Sequence, residues 1–364
     1  MKKRDVLMEA RDIRVVRGGI QVLAIPEFTL GDNETVALIG PNGTGKSTFL
    51  LTLAGLLPLA SGEIFFRQQG VIPGYASTAY RRRLAMVFQE PLLFDTTVFD
   101  NVAAGLKLRR LPKHEINERV TACLERFRIA HLANRSARKL SGGEAQRTSL
   151  ARAFAIAPEV ILLDEPFSAL DAPARQALSD DLEQVLRDSR ISAIMTTHDQ
   201  AEALRLADRM VVMQQGEIIQ SGTPTEVLSS PANQFVASFV GMENIFSGTV
   251  AEVGQGIFSL NVEGKAIRVM GEAVLREAAV ISIHPEHVTV SLTDPDSTSS
   301  VRNVLPARVS KIVPMGLFTK IYLDCGFKLV ASVTNQSLES LALQPDSRVF
   351  ASFKATAVHL FRKG

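Results

Sequence analysis

The stretch LIGPNGTGKSTFL, Leu38 to Leu50, constrains the fold more than any other part of this chain. The run before it, ETVALIG (Glu34 to Gly40), is apolar and β-branched and reads as a short buried strand. The run after it, KSTFLLTLAGLLP (Lys46 to Pro58), reads as a helix ended by Gly55 and Pro58. Between them stand Gly40, Pro41, Asn42, Gly43, Thr44 and Gly45, followed by Lys46, Ser47 and Thr48. Glycines have no Cβ, so backbone N–H groups can close around phosphate oxygens there. The N-terminus of the following helix adds partial positive charge. Lys46 can reach the β- and γ-phosphates of a nucleotide, and the Ser47 hydroxyl can bind Mg²⁺. An ordinary glycine-rich turn does not account for the Lys-Ser pair in this context.

Hydrolysis needs an acidic partner. PEVILLDEPFSALDAP (Pro158 to Pro173) offers four apolar residues, Val160 to Leu163, as a buried strand. Asp164 stands at its C-terminal end, the edge at which open α/β sheets bind ligands. A carboxylate there can hold Mg²⁺, and Glu165 can act on an attacking water as general base or water-positioner. A third apolar run, Ile191 to Thr197, ends at His198. Upstream, Leu140, Ser141, Gly142, Gly143 and Glu144 open a helix: Ser141 is a natural N-cap, and the glycines expose N–H groups for a second phosphate contact.

Taken in this order, the motifs resemble those of ABC transporter ATP-binding subunits, over about Met8 to Gly241. The resemblance makes Gly40 to Thr48 the Walker A motif, Gln89 the Q-loop residue and Leu140 to Glu144 the signature. It makes Val160 to Asp164 the Walker B strand, Glu165 the catalytic carboxylate, Ser168 to Asp171 the D-loop and His198 the switch histidine. Gln89 joins Ser47 and Asp164 as an expected Mg²⁺ ligand. It implies a homodimer in which ATP lies between Lys46 of one chain and Ser141 to Gly143 of the other. Two transmembrane permease subunits and an extracytoplasmic solute-binding protein are implied too, with the chain peripheral at the cytoplasmic face of the inner (plasma) membrane. Two residues depart from the family pattern. Glu144 stands where glutamine is common. Arg17 occupies the place of an aromatic ring that stacks on adenine; its planar guanidinium can stack instead, or lie in solvent.

The chain has 364 residues, too many for one core of usual size, so several domains are expected. The net charge of +2 does not point to nucleic acid, and Arg81-Arg82-Arg83 reads as a solvated face. Cys123 and Cys325 have no metal-binding spacing. No uncharged apolar run reaches the ~20 residues of a membrane span, and the N-terminus lacks a secretory h-region. Residues 1–241 are expected to form an α/β ATPase with a largely helical lobe over Phe94 to Arg138. From Ile245, short alternating segments predict an all-β, barrel-like region. The polar stretch Thr293 to Pro306 divides it into residues 242–299 and 300–364.

The last part resembles the TOBE/Mop-like domains of molybdate and tungstate proteins, in SVRN, VTNQSLESLAL and FKATAVHL. An oxoanion needs hydroxyls, N–H groups and a cation. Ser300, Arg302, Asn303, Lys354 and Thr356 can supply them, or can shape turns in a dimerisation barrel. Molybdate or tungstate import is the expected role. Sulfate, iron, sugar and polyamine import remain open, as do a soluble oxoanion sensor and a non-transport ABC ATPase.

Overall fold

The structure, a computed structural model, describes residues 5–71, 77–295 and 300–361. It divides into two units, Met1–Val227 and Leu228–Gly364. The first is built on a six-stranded sheet in the order Glu217–Gly222, Arg209–Gln214, Thr35–Ile39, Ser192–Thr197, Val160–Asp164, Leu84–Val87. All pairs are parallel except the first two strands, which form an antiparallel hairpin. The three central strands are buried at every position. That burial explains their continuous apolar and β-branched runs.

One face of this sheet packs on the helix Lys46–Leu53 and a four-stranded antiparallel sheet that includes Val6–Arg17 and Ile20–Gly31. Phe28 meets Phe49 edge-on at 5.0 Å between ring centroids. The other face packs on helices Val98–Leu108, Lys113–Arg126, Gly142–Ala155 and Ala172–Asp188. In Lys113–Arg126 the buried residues are Ile116, Val120, Cys123 and Leu124, one helical stripe.

The phosphate-loop helix is shorter than its apolar run. It ends at Leu53, with Gly55 at φ 69°. Gly55 N–H donates to Thr52 O and Leu56 N–H to Leu51 O, a Schellman closure that stops the helix before Pro58.

The second unit contains two five-stranded antiparallel sheets around one core. Strand exchange ties its two halves together. The late strand Val358–Phe361 pairs with Ala278–Ile283, and the early strand Thr289–Ser291 pairs with Arg348–Phe353. The polar stretch expected as a divider therefore connects parts of a single core; residues 296–299 of it lie outside the described residues. Buried Asn244 acts as a strand substitute, its amide exchanging hydrogen bonds of 2.8 and 2.7 Å with the Val330 backbone.

Candidate functional site

The strand Thr35–Ile39 runs directly into the glycine-rich loop, whose shape depends on glycine at two positions above all. Gly40 has φ 154°, and a Cβ there would lie 2.4 Å from Met213 O. Gly45 has φ 99°, and its Cβ would lie 2.8 Å from a Leu23 methyl. At Gly40 the neighbour is backbone that cannot yield; at Gly45 the positive φ itself disfavours a side chain. Thr44 Oγ1 donates to Pro41 O at 2.9 Å, and Gly216 N–H donates to Thr44 O at 3.0 Å.

Lys46 begins the helix and is 5% exposed. Its Nζ donates to Gly40 O at 2.7 Å and Pro41 O at 3.0 Å. Burial pulls its ammonium below the usual lysine range, while the carboxylates of Glu165 and Asp164 oppose that shift. No side chain caps this helix start, so its first-turn N–H groups suit an anion.

Ser47 Oγ donates to Asp164 Oδ1 at 2.9 Å. The parallel strands Val160–Asp164 and Ser192–Thr197 place Asp164 opposite Thr196. Thr196 Oγ1 donates to the same Asp164 oxygen at 2.7 Å. Glu165 takes φ 43°, unusual for a residue with a side chain. Its Oε2 lies 3.6 Å from His198 Nδ1.

A cavity of about 570 Å³ opens here. Asn42, Gly43, Gly45, Lys46, Ser47, Thr48, Gln89 and Glu165 line it. Ile20, Gln21, Val22, Gln215 and Gly216 line it as well, and no local signal marks them. Gly216 lies in the turn between Arg209–Gln214 and Glu217–Gly222, and only the sheet order brings it to the loop. Arg17 is exposed and outside this lining. After the turn at Gly18 and Gly19, the hairpin meets the cavity with Ile20 to Val22 instead.

The residues Ser141 to Glu144 are not among the lining residues. Ser141 caps the helix Gly142–Ala155 and forms a capping box with Glu144. Ser141 N–H donates to Glu144 Oε2 at 2.7 Å, and Glu144 N–H to Ser141 Oγ at 3.4 Å. The glutamate thus closes its own helix start.

In the second unit, Ser300, Arg302, Lys354 and Thr356 are exposed. Asn303 pairs with Phe353 at the end of the ladder, and Arg302 and Lys354 are the residues next to them in the chain. Asn303 itself is 3% exposed. Its Oδ1 accepts from Arg268 N–H at 2.7 Å and its Nδ2 donates to Arg268 O at 2.9 Å. That amide holds a strand junction, and both its polar atoms already have partners.

A mostly parallel sheet, a glycine loop at its C-terminal edge and a buried lysine within electrostatic reach of two carboxylates define a P-loop nucleotide-binding protein. Comparison with known proteins narrows the class. The ABC transporter family pattern matches residues 23–168 and the TOBE domain pattern residues 299–360. The molybdate/tungstate import ATP-binding protein WtpC of Pyrococcus horikoshii is 35% identical, over 92% of this chain and 94% of its own. The sulfate/thiosulfate import ATP-binding protein CysA of Thermosynechococcus vestitus is 35% identical over 92% of both chains. The spermidine/putrescine import ATP-binding protein PotA of Fusobacterium nucleatum is 35% identical over 86% of both. Among solved structures, cbiO1 of Clostridium perfringens, part of the ABC transporter complex cbiONQ, superposes with a TM-score of 0.57 at 30% identity. It covers 61% of this chain and 90% of that one. This chain belongs to the ABC transporter ATP-binding subunits: it is an import ATP-binding subunit with a C-terminal TOBE domain. Such subunits bind ATP and are ATPases that drive transport. No helix among the described residues is long and apolar enough to cross a membrane.

Proposed function

We propose that this subunit hydrolyses ATP at the Lys46 cavity and drives uptake of a tetrahedral oxoanion, molybdate or tungstate. The convergence of Ser47, Asp164 and Glu165 beside Lys46 carries the first half of this reading. The loop amides of Gly40 to Thr48 take the phosphates, and Lys46 turns its ammonium from the loop carbonyls toward the β- and γ-phosphates. The Ser47 hydroxyl, the Asp164 carboxylate and the Gln89 amide are oxygen donors suited to Mg²⁺. When bound, that ion neutralises charge developing on the β- and γ-oxygens. Glu165 accepts a proton from the attacking water, and His198, at 3.6 Å, helps orient that carboxylate.

The signature residues lie outside the cavity of their own chain, which fits a site completed by Ser141 to Gly143 of a second copy. Two permease subunits and an extracytoplasmic binding protein complete the importer, with this subunit peripheral at the cytoplasmic face. ATP binding then closes the pair and hydrolysis lets it open, a gating step.

The solute assignment rests on the oxoanion importers among the relatives and on the exposed cations Arg302 and Lys354, which adjoin the paired residues Asn303 and Phe353. Ser300 and Thr356 offer hydroxyls nearby; Asn303, already bonded to Arg268, contributes by holding the strand end. Calorimetric titration of the full chain with molybdate, tungstate, sulfate and spermidine tests this. Binding of molybdate or tungstate that disappears in Arg302→Ala and Lys354→Ala, with ATPase activity retained, is the expected result. Binding of sulfate or spermidine alone overturns the solute assignment; binding of none removes the oxoanion site and leaves the β-domain a dimerisation module.

A further inference from the structure

One buried hydroxyl joins the Asp164 carboxylate to the Glu165 backbone. Thr196 is fully buried in the strand Ser192–Thr197. A threonine hydroxyl has one proton to give and lone pairs to accept with. Thr196 uses both: it donates to Asp164 Oδ1 at 2.7 Å and accepts from Glu165 N–H at 2.9 Å. β-Branching restricts its χ1, so the hydroxyl is held rather than freely rotating.

Each end of this bridge matters. Asp164 Oδ1 also accepts from Ser47 Oγ. If Ser47 turns to Mg²⁺, Thr196 is the donor that still fixes this carboxylate. Glu165 occupies a left-handed backbone conformation that a side chain disfavours and that persists only when its surroundings hold it. Its N–H is held by Thr196, and its carbonyl by Ser168 N–H at 3.2 Å and Ser168 Oγ at 3.1 Å. The direction of the Glu165 carboxylate follows from that pinned backbone.

We infer that Thr196 is a positioning residue for ATP hydrolysis: through one hydroxyl it sets both the Asp164 carboxylate beside Ser47 and the backbone that aims Glu165. This rests on the roles proposed above for Asp164 and Glu165. Valine at 196 keeps the shape, removes the donor from Asp164 and takes the acceptor from the partly buried Glu165 N–H.

The test compares the full-length protein with Thr196→Val, Thr196→Ser and Glu165→Gln. Turnover is measured per folded molecule. Mn²⁺ affinity is measured by electron paramagnetic resonance with a non-hydrolysable ATP analogue. Thr196→Val should lose about 10–100-fold in turnover, the scale of a mis-set reacting group. It should also lose about tenfold in Mn²⁺ affinity, the scale for removing an outer-shell hydrogen bond. Metal-free nucleotide affinity should stay within about twofold, since the phosphates are held by other groups. Thr196→Ser, which keeps the hydroxyl, should restore both losses. Should valine prevent folding, Thr196→Ala gives the same two readings.

Wild-type turnover and Mn²⁺ affinity in the valine or alanine variant would overturn the inference. So would equal loss of turnover in the valine and serine variants with Mn²⁺ affinity unchanged, the mark of packing alone. Glu165→Gln separates the levels. If it turns over ATP normally, the site roles themselves fail; if it is inactive while Thr196→Val is unimpaired, only the bridge fails.

Discussion

Lys46 is a side chain held by its own loop and proposed to serve the ligand as well. Its ammonium is nearly buried and satisfied by two carbonyls of its own loop. The same position at the helix start lets it swing toward phosphate. Lys46→Ala removes a charged donor, and hydrogen bonds to charged groups contribute about 1.5–3 kcal/mol. ATP affinity should therefore fall about 10–100-fold in a fluorescence titration. Because the side chain is inside, some stability should be lost with it, although circular dichroism should show the fold retained. Unchanged ATP affinity would remove Lys46 from the phosphate site. Its motif made this residue legible in the sequence. Its burial was not legible, because that depends on Gly40 and Pro41 folding back over it.

Among the elements, the ends carry most of the chemistry. Each central strand stops at a proposed site residue or loop: Ile39 before the glycine-rich loop, Asp164 before Glu165, Thr197 before His198. In the second unit the strand Ala278–Ile283 ends at His284, whose Nε2 lies 3.2 Å from Leu228 O. Burial pulls its pKa below the ordinary histidine value; His287 and His359 push the same way, while the Leu228 carbonyl and Glu286 oppose. As pH falls below about 6.5, the unfolded chain takes up this proton before the folded one does. Stability is therefore present above that pH and is lost as pH drops through the folded value. His284→Gln cannot titrate and keeps an N–H donor. Its unfolding midpoint should fall less than that of wild type between about pH 7 and pH 5. Equal slopes in thermal melts would show that His284 does not contribute.

For the whole molecule, the described cavity contains the phosphate loop and Glu165, while the Ser141–Glu144 turn stands apart from it. Glu165→Gln keeps size and hydrogen bonding but cannot accept a proton. Its ATPase rate should fall about 10²–10⁴-fold, the scale for a missing general base. With ATP bound and hydrolysis blocked, the closed pair should accumulate, and native mass should show an ATP-dependent dimer. A monomer at saturating ATP would remove Ser141 to Gly143 of a second copy from the site. Wild-type turnover would remove Glu165 from its role.

The sequence by itself determined the class of this protein. Gly40 to Ser47, Asp164-Glu165 and His198 are short, local patterns whose chemistry depends on residue type and on a strand or helix beside them. Helix ends, buried strands and the TOBE match were legible for the same reason, since periodicity and turn residues act over a few positions. Tertiary structure decided what distance in the chain hides. It set Gly216 against Thr44, brought Ile20 to Val22 to the cavity while leaving Arg17 outside, and gave Asn303 to Arg268. It also joined residues on both sides of 296–299 into one core by exchanging strands. The Thr196 bridge belongs here too. Its hydroxyl gains meaning from the parallel register that sets Thr196 beside Asp164, and strand order and register come from packing across the whole sheet.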